Sequence, residues 1–205
     1  MRTVYKRIYT QLLFLSFAAL LSSCAKDQTS IEKKKPTPVN SFSMEVNGQE
    51  WQPGKKREDE CSRTYNGAWS KLNLKPYFNI SAYRDQNGKT GADSESLLEI
   101  QVMNVEGLGE YKLMGSYLKS FESYVYFIAN QPDGSRSMYS NKHDSSSFTI
   151  RFEQFMERPN TELQGVKGVF FGTLYNVKNP LDSIVISKGA FTMQKTNWYN
   201  FNQCE

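Results

Sequence analysis

The side chains that could carry out chemistry are few. In 205 residues there is one histidine, His143, and three cysteines, Cys24, Cys61 and Cys204. Any Ser/His/Asp or Cys/His arrangement must use His143, and a site built from several histidines is impossible. The run His143-Asp144-Ser145-Ser146-Ser147 holds the residue types of a triad. Adjacent residues in a chain do not orient nucleophile, base and carboxylate, so the run reads as a polar turn before a strand at Phe148. Asp85-Gln86-Asn87-Gly88 with Asp93 and Glu95 offers the oxygen ligands and glycine turn of a calcium loop, but Gly88 comes too early for the EF-hand register. It reads as a surface loop. Acidic residues are numerous, yet none stands out as a pair for glycoside hydrolysis. The expectation is a protein without catalytic residues, cofactor or metal, with a carboxylate-dependent hydrolase as the minor alternative. Flat rings remain: Trp51, Trp69 and Trp198 are the candidate ligand-binding residues, because sugar rings and other apolar faces stack on indoles.

The first residues give an address. Met1 to Ser23 carries Arg2, Lys6 and Arg7, then an apolar run from Leu12 to Leu21. That run is short for a membrane span, which needs about 20 apolar residues, and suits a secretory signal. It ends in Leu21-Ser22-Ser23-Cys24, which resembles the lipobox of bacterial lipoproteins, where the cysteine is acylated. The resemblance implies cleavage before Cys24, lipidation of Cys24 and, with Ala25 rather than aspartate next, an outer-membrane location. Each buried acyl methylene contributes about 0.8 kcal/mol, so several chains would hold firmly.

The signal carries much of the charge. The formal net charge is +4, but the 22 basic and 21 acidic residues from Cys24 onward nearly cancel. From Phe42 there are 18 basic and 19 acidic residues, which leaves no cationic footprint for a nucleic acid. Residues 24–41, with Lys33 to Lys35, Pro36 and Pro38, read as a lipidated cysteine and tether, and 42–205 as a single domain. Once Cys24 is set aside as lipidated, Cys61 and Cys204 form an even pair in an oxidising compartment, which predicts one disulfide between them.

The body reads as strands. Phe78, Ile80 and Ala82 alternate with Asn79, Ser81 and Tyr83, and Leu98, Ile100 and Val102 with Glu99, Gln101 and Met103. Phe148, Ile150 and Phe152 repeat the pattern, which marks strands with one buried face. Asn47-Gly48 predicts a hairpin turn, Gln131-Pro132-Asp133-Gly134 another turn and Asn179-Pro180 a bend. Lys188-Gly189 predicts a last hairpin between Ile184-Val185-Ile186 and Ala190-Phe191-Thr192-Met193. Between Gly165 and Tyr175, Gly168 and Gly172 flank Phe170 on one face, which signals coiling of the sheet with aromatic infill, or else a ligand over bare backbone. About ten to twelve short strands without long helices predict an all-β, antiparallel meander, closing as a barrel-like (lipocalin-like) sheet or a β-sandwich. The polar stretch Arg84 to Ser96 would supply any long crossing.

The lipobox and Pro-bearing tether are followed by Met44-Glu45-Val46-Asn47-Gly48-Gln49-Glu50-Trp51, Gly91-Ala92-Asp93-Ser94-Glu95 and Gly172-Thr173-Leu174-Tyr175-Asn176. With Lys188-Gly189-Ala190-Phe191-Thr192, these resemble uncharacterised lipoproteins, filed as domains of unknown function, of Bacteroides-type Gram-negative gut anaerobes. The resemblance implies an envelope location and an all-β domain, and carries no catalytic residue. Together the readings predict an outer-membrane-anchored, non-enzymatic binding module for a glycan, a peptide or an envelope protein. A carrier of a small apolar ligand is the alternative, and it would need an enclosed apolar cavity.

Overall fold

The computed structural model describes residues 40–54, 64–131, 133–142, 147–157 and 165–196. Of these, 61% lie in strands and none in an α-helix. In chain order the strands are β1 (Asn40–Val46), β2 (Gln49–Trp51), β3 (Tyr65–Leu72), β4 (Lys75–Arg84), β5 (Ser96–Val102) and β6 (Gly109–Lys112). They continue as β7 (Tyr124–Asn130), β8 (Arg136–Ser140), β9 (Phe148–Met156), β10 (Gly165–Asn176) and β11 (Ser183–Met193). All pair antiparallel in one sheet ordered β2-β1-β11-β10-β8-β7-β5-β4-β3, with β9 beside β10 and β6 beside β9. The sheet curls into a half-barrel.

Strand β10 makes the fork in this order. Gly165 to Gly172 pair with β9, whereas Tyr175 and Asn176 pair with β8. The strand thus passes from one layer to the next, and β4, β5 and β7 come to face β9, β10 and β11 across the core. Ring contacts show the closure: Phe78 of β4 lies 6.2 Å from Phe191 of β11 and 5.8 Å from Phe152 of β9. Phe42 of β1 lies 5.4 Å from Phe170 of β10. Among the described residues, phenylalanine rings from these strands meet across the interior. Two bonds join strands from opposite halves of the sheet order. The Tyr65 hydroxyl donates to the Asn40 carbonyl, and the Trp51 indole N–H donates to Ser96 Oγ at 3.0 Å.

Several local expectations meet their structures. Asn47 and Gly48, with φ of 51° and 77°, turn β1 into β2, so that Val46 faces Gln49. Phe78, Ile80 and Ala82, and Phe148, Ile150 and Phe152, are buried. Gly168 and Gly172 match the infill reading: the Phe191 ring fills the space over Gly168, and the backbone of Ser147 and Phe148 that over Gly172.

Two expectations are corrected. Lys188-Gly189 is not a hairpin turn, because β11 runs unbroken from Ser183 to Met193. Against β10 the register slips between Phe170 and Gly172, and against β1 between Ser43 and Glu45. Lys188, at φ 48°, therefore sits in a bulge, where its ammonium donates to Glu45 at 2.7 Å. A bulge adds twist and bends the strand, which the curled sheet uses at this point. The second correction concerns Arg84 to Ser96. It makes no crossing, since β4 and β5 are neighbours with Arg84 opposite Ser96. The connection that joins the two ends of the sheet order lies instead between β2 and β3.

Candidate functional site

The described tryptophans belong to the core. Trp51 is 4% exposed, edge-on to Phe42 at 6.1 Å and to Phe127 at 6.0 Å. Residue 51 lies opposite Met44, so it faces inward with that residue, and the proposed stacking role is corrected to a buried one. Trp69 is half-buried on the core side of β3, with its ring 4.7 Å from Phe78 and 5.8 Å from Phe155. The two indoles do not form a shared exposed surface. Trp198, His143 and the three cysteines, Cys24, Cys61 and Cys204, lie outside the described residues.

A different aromatic surface is present on the outer face. Since side chains alternate along each strand, burial of Phe78, Ile80 and Ala82 turns Asn79, Ser81 and Tyr83 outward. Register then aligns Ser81 with Glu99 on β5, Glu99 with Tyr126 on β7, Tyr126 with Ser140 on β8 and Ser140 with Tyr175 on β10. Flanking this row, Gln101 pairs with Asn79 and Tyr124, while Tyr83 pairs with Leu97. Tyr124 stacks on Tyr126 at 6.0 Å, and Tyr117, from the loop after β6, meets Tyr126 edge-on at 5.9 Å. That loop is tied down by Gln101, whose amide donates to the carbonyls of Ser120 and Glu122, both at 2.9 Å. Tyr83, Tyr117, Tyr124, Tyr126 and Tyr175 are all half-buried, so each keeps part of its ring in contact with solvent. Beside Tyr117 and Tyr175 an open hollow of about 300 Å³ is lined also by Ser140, Asn141 and Lys142. Lys142 Nζ sits 3.9 Å above the Tyr175 ring.

Glu99 is the charged centre of this face. Its carboxylate accepts from Ser81 Oγ at 2.7 Å and from the Tyr83 hydroxyl at 3.2 Å. Burial pushes its pKa up, against the lowering effect of those two bonds. Tyr83, Tyr124 and Tyr126 are raised in turn, by burial first and then by the charge on Glu99. The linkage has a definite sign. A carboxyl whose folded pKa lies above the unfolded value of about 4.3 binds its proton more tightly in the native state. Its stabilising contribution is complete below that value and is lost as pH rises through the folded pKa. Glu99→Gln should therefore gain on the native protein in thermal denaturation as pH rises from acid to neutral. A difference that stays flat with pH would remove the linkage.

A second recess, of about 510 Å³, is polar and open, and is lined by Glu50, Gln52, Arg84, Asp85 and Glu95 among others. Its carboxylates already have partners. Asp85 accepts from the amides of Asn87 at 2.7 Å and Lys89 at 3.1 Å. Burial alone would raise its pKa, but these amides outweigh burial and hold it below the usual carboxylate value. It therefore fastens the loop through these amides. Glu50 accepts from Gln52, and Glu95 from the Gln86 amide. Among the described residues, no three His, Cys, Asp or Glu cluster as metal ligands would.

The described part is thus an all-β half-barrel with a ring-filled interior and a tyrosine-lined outer face. Over residues 39–194 the chain belongs to the family described as Domain of unknown function (DUF5025). No curated protein and no solved structure matches it.

Proposed function

We propose that this chain is an outer-membrane lipoprotein, anchored through Cys24, whose β domain is a non-enzymatic binding module contacting its ligand through the tyrosine face around Glu99. The observation that carries the reading is the row Ser81, Glu99, Tyr126, Ser140, Tyr175, which crosses five strands on the outside of a filled sheet. Half-exposed tyrosines give contact area at little cost in side-chain entropy and keep a hydroxyl for hydrogen bonding, a combination that favours recognition. The partners of Glu99, Ser81 and Tyr83, hold it as a fixed acceptor facing that surface.

The anchor and the bridge complete the proposal. The Leu21-Ser22-Ser23-Cys24 signature supports acylation of Cys24, and the remaining pair, Cys61 and Cys204, supports a disulfide. Mass spectrometry of the membrane fraction should find an acylated Cys24 as the first residue, and an unmodified cysteine would remove the anchor. For the module itself, the mature protein and a Tyr124→Ala/Tyr126→Ala variant of native fold would be tested against panels of glycans, peptides and purified envelope proteins. Binding lost in the variant is expected. Failure of the native protein to bind any panel would overturn the reading.

A further inference from the structure

We infer that the ligand of the tyrosine face is a neutral oligosaccharide, lying across the strands from Ser81 and Glu99 to the hollow beside Tyr117 and Tyr175. This inference rests on the binding reading above and assigns its chemical class. Three features of the face select a sugar. The first is length: neighbouring strands lie about 4.7–4.9 Å apart, so the row from β4 to β10 covers roughly 19 Å, enough for several linked sugar rings. Polar groups at one end, the hydroxyl of Ser81 and the carboxylate of Glu99, give way to the ring of Tyr126, the small Ser140 and the ring of Tyr175. A pyranose carries the matching pair of features, with C–H faces that lie on rings and hydroxyls that donate to fixed acceptors.

The second feature is the spare capacity of Glu99. An ionised carboxylate has about four acceptor positions, and the bonds from Ser81 and Tyr83 use two. Vicinal hydroxyls can donate to the others. Both described partners of Glu99 are neutral hydroxyls, so an acidic group placed on it would meet a like charge, while the Lys142 ammonium lies at the far end of the row, engaged over the Tyr175 ring.

The third feature separates sugar from peptide. A peptide that adds to a sheet needs a free strand edge, whereas β4, β5, β7 and β8 are each paired on both sides. Nor is the row apolar enough for an amphipathic helix, because Glu99 and Ser140 interrupt it. Ser140, set between Tyr126 and Tyr175 in register, is the small residue at the floor of the hollow beside Tyr117 and Tyr175.

The test is an array of neutral hexose and pentose oligosaccharides, their uronic-acid counterparts and a peptide panel, probed with the full mature protein. Neutral oligosaccharides are expected to bind, with roughly tenfold loss on Tyr126→Ala. Glu99→Gln, which keeps the shape, should weaken binding without altering circular dichroism. If Tyr126→Ala fails to fold, Tyr175→Ala at the far end of the row should give the same loss. Binding confined to peptides and lost in these variants would overturn the sugar assignment while leaving a binding module. Preference for uronic acids would overturn the neutral class, and no binding to sugars or peptides would overturn the sugar assignment while leaving the binding module to stand or fall on the envelope-protein panel.

Discussion

Replacing Phe152 with alanine is expected to cost about 3–5 kcal/mol, the usual range for deleting a buried phenylalanine ring. The site predicts the upper part of that range. Phe152 is 1% exposed and meets Tyr111 at 5.4 Å, Phe78 at 5.8 Å, Phe155 at 6.0 Å, Phe191 at 6.2 Å and Trp69 at 6.4 Å. These neighbours come from four further strands, β3, β4, β6 and β11, and from β9 itself, and cannot all move inward to fill the space, so most of the ring volume would remain as a cavity. Domains of this kind have about 5–15 kcal/mol of total stability, and 1 kcal/mol corresponds to roughly 2–4 °C at this size. The variant should therefore melt on the order of 10 °C lower, measured by scanning calorimetry. Leu181→Ala is the control, because Leu181 is 96% exposed and should change stability by less than about 0.5 kcal/mol. A Phe152→Ala cost below about 1 kcal/mol would mean that the rings are loosely packed, which would favour the reading of a carrier for a small apolar ligand.

Features of the fold that depend on a few adjacent residues were legible. Phe78, Ile80 and Ala82 state their burial by alternation alone, and Asn47-Gly48 is a turn because its positive φ angles suit the twist of the flanking strands. Lys188-Gly189 shows where such reasoning fails. Its residue types suit a turn and a bulge equally, and the choice depends on β1 and β10, which pair along both sides of β11 and hold it extended. Both partners are distant in sequence. Arg84 to Ser96 is the converse case: its length suggested a crossing, but a neighbour-to-neighbour connection accommodates it with a turn at Gly91–Asp93.

The candidate site was the least legible feature. Tyr83, Tyr117, Tyr124, Tyr126 and Tyr175 span more than ninety residues and come together through the register of β4, β5, β7, β8 and β10 and, for Tyr117, through the loop that Gln101 ties down. One signal was available. Tyr124 and Tyr126 are two apart in a strand whose alternate residues Val125 and Phe127 are apolar, which turns both tyrosines outward. Trp51 drew attention by its size, yet a large indole next to a hairpin turn is as well suited to filling a core as to forming a platform. Its inward direction follows from pairing with Met44, and its N–H is then satisfied by Ser96.

Gly172→Ala should be among the most damaging single-methyl additions to this protein, at roughly 2–6 kcal/mol. Two independent penalties meet there. The residue has φ of 151°, where an L side chain costs on the order of 1–3 kcal/mol of backbone strain. An added Cβ would also lie 2.6 Å from the Cα of Phe148 and 2.9 Å from its Cδ2, besides crowding the Ser147 carbonyl. Backbone atoms cannot rotate aside, so relief requires β9 to separate from β10, at a further cost of about 1–3 kcal/mol. This is the point where β10 leaves β9 for β8, and separation there would strain the change of partner that brings the two layers together. The same separation would shift Tyr175, three residues on, relative to Ser140. Gly172→Ala is thus expected to lower the melting temperature and to weaken ligand binding together. Gly107→Ala, where an added Cβ meets no atom within 4 Å, should change neither. A native-like melting temperature for Gly172→Ala would show that the strand bends without needing a bare backbone at this residue.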